Sequence, residues 1–246
     1  VGLYFLHQDI QNSMGGEPLS QTVNRGIFNF LLLAGLYGVN FLTLAMGALL
    51  SADTLAGEIG SGTIQALVTK PIPRAAVVLG KWLGFAGMLA LYLALMAGGV
   101  ILSIWVQAGY LAPNPERGLG LIYLTSLLVM SVTLLSSSRF SALATGGVVF
   151  GLYGLAFIGG WVEQIGAFLN NATAVNIGIL SSLIIPSEAL WRRAAYEMAS
   201  PVARAAGFFS PFSTTSVPSP LMVGYAILYL AAALALAVRV FQKRDL

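Results

Sequence analysis

Few residues of this chain are of the types that carry out chemistry, and their spacing argues against a reactive centre. The single histidine, His7, has only Asp9 near it in the sequence, whereas a metal site needs three or four ligands. The chain has no cysteine, which excludes a cysteine nucleophile, a thiolate metal site and a disulfide. Glu163 and Glu188 could act together in catalysis only if the fold brings them together, and Glu163 more simply marks the outer end of an apolar segment. We therefore predict no catalytic residue and no metal-binding residue.

The stretch GEIGSG at 57–62 invites comparison with a phosphate-binding loop. Such a loop requires the pattern GxxxxGK followed by Ser or Thr, placed after a strand. Gly80-Lys81 is followed by Trp82, and Ala75 stands where the first glycine is needed. The sequence therefore predicts no nucleotide-binding or cofactor-binding site, and no enzymatic activity of this chain itself.

The composition is that of a membrane protein. Of the 246 residues, 57% are hydrophobic and only 9% are charged, against about a quarter charged in a typical soluble domain. The mean hydropathy of +0.84 means that lipid must solvate much of the surface. The net charge of +3 is too small and too dispersed to indicate a nucleic-acid partner. We expect a single transmembrane domain covering residues 1–246.

Five charge-free stretches are long enough for transmembrane helices, which need roughly 20 apolar residues. Their continuous apolar runs favour helices over a barrel, and no acidic or basic residue lies well inside them. The predicted spans are 28–52, 80–107, 118–137, 141–162 and 219–240. The segment VGLYFL (1–6) is expected to be the tail of a further, first span, with a cleaved signal peptide as the alternative. The predicted fold is an all-α polytopic membrane helix bundle of six transmembrane helices, with the first one truncated.

Two groups of basic residues indicate the orientation of the spans. One group surrounds the loop after the second span and the other follows the last span: Lys70, Arg74, Lys81, Arg239, Lys243 and Arg244. Cytoplasmic loops are enriched in Lys and Arg, so both groups are predicted to be cytoplasmic, with an even number of spans between them. Four spans satisfy this condition and also place Arg139 inside.

The charge-free segment 164–187 is therefore predicted to be re-entrant or to lie on the outer surface. It carries several polar residues and ends near Pro186, unlike the predicted spans. Residues 187–199 are predicted to form an amphipathic helix on the outer surface, with these residues as part of it: Trp191, Arg192 and Arg193. The whole region 163–218 is expected on the outer side, as is a polar loop at 7–25.

The cytoplasmic loop after the second span has the sequence GEIGSGTIQALVTKPIPR (57–74). Three glycines are predicted to break the incoming helix: Gly57, Gly60 and Gly62. A new short helix would begin near Gly62 and end before Pro71, and Pro73 suits the first turn of the next helix. One face of the short helix is apolar, at spacing i, i+3 and i+4: Ile64, Leu67 and Val68. We predict an amphipathic rod of roughly 13 Å parallel to the membrane. The alternative is a turn-rich loop whose apolar face lies on lipid headgroups.

The stretch DTLAGEIGSGTIQALVTKPIPRAAVVLGKWLG (53–84) resembles the signature of the type 2 ABC export permeases. In that family the cytoplasmic loop carries an acidic residue, Gly-Thr, an apolar run, Pro-x-x-Arg and Gly-Lys. The matching positions are Glu58, Gly62-Thr63, Ile64 to Val68, Pro71 to Arg74, and Gly80-Lys81. The ending FQKRDL (241–246) also resembles the family's C-terminus.

The resemblance implies the permease subunit of an ATP-driven exporter in the cell membrane of a bacterium or archaeon. Two permease subunits, identical or different, would bind two ATPase subunits, and ATP and Mg would be held by those partners. The loop 53–81 would carry the coupling helix that sits in a groove of the ATPase. Glu58 and Arg74 would make polar contacts and an apolar plug would fill the groove. The implied coupling residues are Glu58, Gly62, Thr63, Ile64, Leu67, Val68, Pro73 and Arg74. The alternatives are a secondary transporter, an intramembrane enzyme and a non-transporting membrane assembly factor.

Two further sets of residues within the spans have the character of contact sites. Small residues let helix backbones approach closely in lipid, so a glycine set predicts either packing within one subunit or part of a dimer seam: Gly147, Gly151 and Gly154. Polar residues within a span tend to face protein or a cavity. A polar set therefore predicts hydrogen bonding between helices or the lining of a substrate path: Asn29, Asn40 and Thr43.

Overall fold

The computed structural model describes residues 18–60, 73–201, 204 and 216–243. These residues form seven α-helices, and no β-strand occurs among them. The helices are α1 (Pro18–Gly60), α2 (Arg74–Ala108), α3 (Pro115–Ser137), α4 (Ala142–Phe168), α5 (Ala172–Ile184), α6 (Ser187–Met198) and α7 (Pro220–Gln242). The predicted all-α polytopic bundle is confirmed.

Five helices are long and apolar enough to cross a membrane: α1, α2, α3, α4 and α7. They contain the five spans predicted from the charge-free stretches, although some helix ends differ. The further span expected at 1–6 lies outside the described residues.

The first helix is much longer than the span predicted within it. α1 has 43 residues, about 65 Å of helix, whereas the hydrocarbon core is about 30 Å thick. The loop predicted at 7–25 is wrong from Pro18 onward, because proline is tolerated in the first helical turn. Gly57 does not break the helix, and Gly60 is its last described residue. A helical glycine costs only about 1 kcal/mol relative to alanine, which the continuing backbone hydrogen bonds offset.

The central helix of the bundle is α3, which contacts α1, α2, α4, α6 and α7. Its buried hydroxyl groups donate to carbonyl oxygens one turn earlier, as Thr125 does to Leu121 and Thr133 does to Val129. These bonds satisfy polar groups that would otherwise be stranded in an apolar interior. α2 and α7 are far more exposed, and they turn large apolar side chains outward, where lipid solvates them.

The two ends of the bundle differ in charge. The ends of α1, α3 and α7 lie together with the start of α2, because Arg74 bonds to Gln242 and Lys81 bonds to Thr54. We call this the basic end, after the described residues Arg74, Lys81, Arg139, Arg239 and Lys243. The starts of α1, α3 and α7 and the end of α4 lie at the opposite end, which we call the far end.

After α4 the chain turns back on itself. Asn170 takes the left-handed conformation with φ of 54°, and the Asn171 side chain accepts a hydrogen bond from the backbone N–H of Ala174 to cap α5. α5 then runs antiparallel to α4, since Gly166 lies against Ala174 and Gly159 lies against Ser181. Its 13 residues give about 20 Å of helix, too short to cross the membrane alone.

The segment formed by α5 and α6 begins and ends at the far end of the bundle. α6 is bent by 108° from α5. Its last residue, Met198, lies against Gly118 in the first turn of α3, which belongs to the far end. The far end also holds the turn between α4 and α5. Residues 172–198 therefore have the geometry of a re-entrant segment, which leaves four spans between the two basic groups.

The predicted amphipathic surface helix at 187–199 is present as α6, but its surface position is wrong. Trp191 and Arg192 are at most 1% exposed, and most of α6 is buried. α6 packs against α3, and the Trp191 ring lies 5.0 Å from the Tyr37 ring of α1, centroid to centroid. The sequence prediction failed because it treated Arg192 as a solvated charge, whereas an acidic side chain of α4 neutralises it inside the protein.

Candidate coupling site and buried polar cluster

The start of α2 is joined to the end of α7 at the basic end. Pro73 is the residue before the helix rather than in its first turn, with φ −61° and ψ 133°. Arg74, the first helical residue, donates from its guanidinium to the backbone carbonyl of Gln242 at 3.1 Å. The last carbonyls of a helix have no partner within the helix, and a cation there also interacts favourably with the helix dipole. This bond links the segment that follows the predicted coupling helix to the last described turn of α7.

The end of α1 is joined to α2 in a similar way. The Lys81 ammonium group lies 3.5 Å from the backbone carbonyl of Thr54, and Trp82 donates from its indole N–H to the Ser131 hydroxyl of α3 at 2.9 Å. The two ends of the segment 61–72 are therefore both anchored. A displacement of that segment would act on α1, α2, α3 and α7 together.

An open cavity of about 450 Å³ lies beside these contacts. Among the described residues it is lined by Ser138 and Arg139 of the turn between α3 and α4, and by Val240 and Lys243 at the end of α7. Two cationic side chains around an open cavity suit contact with an acidic surface of a soluble partner.

Most of the predicted coupling residues cannot be placed. Glu58 lies in the last turn of α1, and its side chain falls outside the described residues. The remaining residues of the predicted helix also lie outside the described residues: Gly62, Thr63, Ile64, Leu67 and Val68. The structure therefore places two members of the set, Pro73 and Arg74, at the basic end.

A buried ion pair lies in the half of the bundle next to the far end, which we call the far half. Two nitrogens of the Arg192 guanidinium each lie 2.7 Å from one oxygen of the Glu163 carboxylate. The side chains are only 1% and 4% exposed. The Ser216 hydroxyl donates to the same carboxylate at 2.6 Å, and Ser182 lies 3.5 Å from the guanidinium. The bidentate geometry and the extra hydroxyl partner compensate for removing both charges from water.

This pair gives Glu163 a role that the sequence analysis did not predict. Glu163 lies five residues before the end of α4, just beyond the predicted span 141–162, and its carboxylate is buried against Arg192. A signal was available: Glu163 and Arg192 are opposite charges that both adjoin strongly apolar segments, and such charges are buried only in pairs.

Glu188 joins the same cluster from the start of α6. It is 3% exposed, lies one helical turn before Arg192 and interacts electrostatically with that guanidinium. One of its carboxyl oxygens has no hydrogen-bond partner among the described residues. The fold brings Glu163 and Glu188 to the same arginine, Arg192. The two carboxylates therefore act as structural partners of its charge. Within the described residues, no group of three or more potential metal ligands lies together.

The polar residues of α1 act mainly within the protein. Asn29 donates from its amide to the carbonyl of Met198 at 2.9 Å and accepts from the N–H of Ser200 at 3.0 Å. Burial raises the pKa of the neighbouring Tyr110 hydroxyl above its ordinary value, which is already high enough to keep this group neutral. Thr43 donates to the carbonyl of Val39 in its own helix, while the buried Oδ1 of Asn40 has no partner among the described residues. Asn29 thus bonds α1 to the end of α6, which is the predicted hydrogen bonding between helices.

The predicted glycine set lies on an open surface of α4. A Cβ atom added at Gly147, Gly151 or Gly154 would meet nothing within 4 Å. The predicted packing within one subunit is not found here, and contact with a second subunit stays a prediction. The close approach instead occurs further along α4 and in α5, where a Cβ added at Gly160 would lie 2.5 Å from Glu188. Small residues therefore also occur at close helix contacts that the sequence analysis did not select.

A comparison with protein families decides the identity. A family model described as ABC-2 family transporter protein matches residues 4–246. The chain belongs to the ABC-2 transporter family. A comparison with curated proteins gave no match.

Membership places the two sites of this ABC-2 permease in context. The family is a membrane component of ABC transporters, which implies ATPase partners, and the chain is a multi-pass membrane protein. In this ABC-2 chain the basic end gathers the ends of α1, α3 and α7 and the start of α2, and the end of α1 and the start of α2 flank the predicted coupling loop in the sequence. The far half contains the buried Glu163–Arg192 pair that holds the re-entrant segment to α4.

Proposed function

We propose that this ABC-2 family chain is the permease subunit of an ATP-driven exporter. It would form the transmembrane part of the complex with a second permease copy, and two ATPase subunits would supply the energy. The observation that carries the proposal is the family match over residues 4–246. The clustering of α1, α2, α3 and α7 at the basic end supports it, because a soluble partner could act there on several spans at once.

The basic end would face the cytoplasm in this proposal. Among the described residues it carries five basic residues and two acidic ones, Asp53 and Glu58, so its net charge is positive and fits the rule that basic residues stay inside. The ATPases would therefore contact the segment 61–72, the α3–α4 turn and the end of α7. The far end, with its re-entrant segment, would face the exterior.

ATP binding would act on the permease by mechanical coupling. The segment 61–72 would form the amphipathic coupling helix, with Ile64, Leu67 and Val68 in a groove of the ATPase. Closure of the ATPases would displace this helix and shift an existing equilibrium between inward-open and outward-open states. The Thr54–Lys81 and Arg74–Gln242 contacts would carry the displacement to the spans.

The test is a charge placed on the apolar face of the loop. Leu67→Asp should leave the protein inserted in the membrane but abolish copurification of the ATPase or stimulation of its activity, because a buried carboxylate would lack a partner in the groove. The matched control is Leu111→Asp, since Leu111 is 54% exposed in the far-end connection and would not meet the ATPase. Wild-type copurification with full stimulated ATPase activity in Leu67→Asp would refute the proposal.

A further inference from the structure

A second open cavity lies at the far end, away from the predicted coupling site. Its volume is about 470 Å³, within the range of roughly 300–1,000 Å³ that is usual for small-molecule sites. It lies between α3, α6 and α7, at the level where α3 and α7 begin. Among the described residues its lining is Arg117, Gly120, Leu121, Leu124, Arg193, Glu197, Pro220 and Val223.

The rim of this far-end cavity is charged. Arg193 donates to Glu197 at 2.7 Å and to the backbone carbonyl of Pro218 at 3.4 Å. Arg117 lies 3.8 Å from the other oxygen of Glu197, and its side chain is 68% exposed. The Arg117 guanidinium makes no hydrogen bond to the described part of the chain. Two cations and one carboxylate leave a net positive rim whose most accessible donors belong to Arg117.

The wall below this rim is apolar. Leu121, Leu124 and Val223 line it, and all three are partly buried and pack against the apolar core. Gly120 adds an open notch, because a Cβ atom placed there would meet nothing within 4 Å. The first turns of α3 and α7 also meet at this level, and the positive ends of their helix dipoles favour an anion.

We propose that this cavity binds an anionic lipid of the surrounding membrane. The phosphate of the headgroup lies at the exposed guanidinium of Arg117, beside the Glu197 carboxylate that Arg193 neutralises, and one acyl chain follows the apolar groove past Gly120 and Leu124. A charged rim above an apolar wall matches the two parts of such a lipid, and a headgroup phosphate accepts charge-assisted hydrogen bonds from guanidinium groups. The bound lipid contacts α3, α6 and α7, so it fills the space between the re-entrant segment and the last span.

Native mass spectrometry of the full-length protein purified from membranes tests this proposal. The protein is incubated with an equal mixture of phosphatidylglycerol and phosphatidylcholine that have the same acyl chains. Wild type should retain phosphatidylglycerol about tenfold better, because the net positive rim attracts its anionic headgroup and repels the choline cation that phosphatidylcholine carries beside the same phosphate. Arg117→Gln should remove this preference without loss of folding, because the side chain is largely exposed. Gly120→Phe should reduce retention of both lipids by filling the notch.

Two matched variants control for general effects of charge and bulk. Arg139→Gln removes an exposed arginine that lines the cavity at the basic end, and Gly87→Phe adds the same ring at an open position of α2. Both controls should keep wild-type retention and preference. Unchanged lipid preference in Arg117→Gln, or unchanged retention in Gly120→Phe, would overturn the proposal. Displacement of phosphatidylglycerol by millimolar inorganic phosphate would also overturn it, because the site would then recognise a free anion without an acyl chain.

Discussion

Arg192 of α6 and Glu163 of α4 form a bidentate ion pair inside the protein, with both nitrogen–oxygen distances at 2.7 Å. The pair joins the re-entrant segment to a membrane-spanning helix. Ser216 donates to the same carboxylate, so the residues just before α7 are bound at the same point. Three parts of the chain that are distant in sequence therefore depend on one carboxylate.

Removing one partner of this pair should destabilise the protein strongly. In Glu163→Gln the Arg192 charge loses its bidentate partner and keeps only the Glu188 carboxylate, and breaking a buried pair costs about 3–5 kcal/mol in comparable cases. The free energy of unfolding, measured by chemical denaturation in detergent, should fall by about that amount. The control is Arg117→Gln, which loses an exposed 3.8 Å pair worth at most about 1 kcal/mol. Replacing both buried partners, in Glu163→Gln with Arg192→Met, should recover part of the loss, and no recovery would contradict this account of the pair.

The close packing of α4 against α5 should make glycine substitutions unequal. In Gly178→Ala the added Cβ would lie 2.7 Å from the carbonyl oxygen of Gly159 and would also meet Glu163. We expect this methyl group to cost about 1–3 kcal/mol of unfolding free energy, because the backbones must separate. Gly151→Ala, where nothing lies within 4 Å, should instead stabilise the helix by up to about 1 kcal/mol. Equal midpoints of thermal unfolding for the two variants would show that α4 and α5 are not packed as described.

The buried amide of Asn29 should matter for stability more than for transport. Asn29→Leu removes the two hydrogen bonds that the amide makes with the Met198 carbonyl and the Ser200 N–H near the end of α6. An unpaired buried group costs about 1–3 kcal/mol, so the thermal midpoint should drop clearly. Thr43→Val is the matched control, because the Thr43 hydroxyl bonds only within its own helix. A substrate-path role would be indicated by the opposite pattern, in which Asn29→Leu keeps its thermal midpoint but changes substrate stimulation of the ATPase.

The contact between α2 and α7 should serve coupling rather than folding. Arg74 bonds to the Gln242 carbonyl at a solvent-exposed position, so Arg74→Ala should change the unfolding free energy by no more than about 1 kcal/mol. Stimulated ATPase activity of the assembled complex should nevertheless fall, because the displacement no longer reaches α7. Arg239→Ala removes a charge from the last turn of the same helix and should leave that activity unchanged. The interpretation fails if the two variants have the same activity.

The spans could be predicted from the sequence because their physical cause is local. Each of the five helices contains a long apolar run without charge, and lipid requires such a run to satisfy its own backbone groups. The distribution of the basic residues along the sequence is also a local signal. Helix ends were predicted less well: α1 continues through Gly57, where the cost of a helical glycine was overestimated.

The interior of the far half could not be predicted in the same way. Arg192 reads as a solvated charge until α4 brings Glu163 to within 2.7 Å, and no local pattern specifies that contact between residues 29 positions apart. The same holds for Gly178 and Gly159, whose close approach exists only after the chain has turned back. For the coupling loop, the family signature was more informative than the described structure, which includes Pro73 and Arg74 but not the apolar face.

The length of α1 has a consequence for how force travels through the molecule. Thr54 near one end of this unbroken helix is bonded to α2, and Asn29 near the other end is bonded to the end of α6. The 25 residue steps from Asn29 to Thr54 correspond to about 38 Å of helix. A small tilt imposed at the basic end would therefore move the opposite end of the helix, and α1 would act as a lever on the re-entrant segment at the far end.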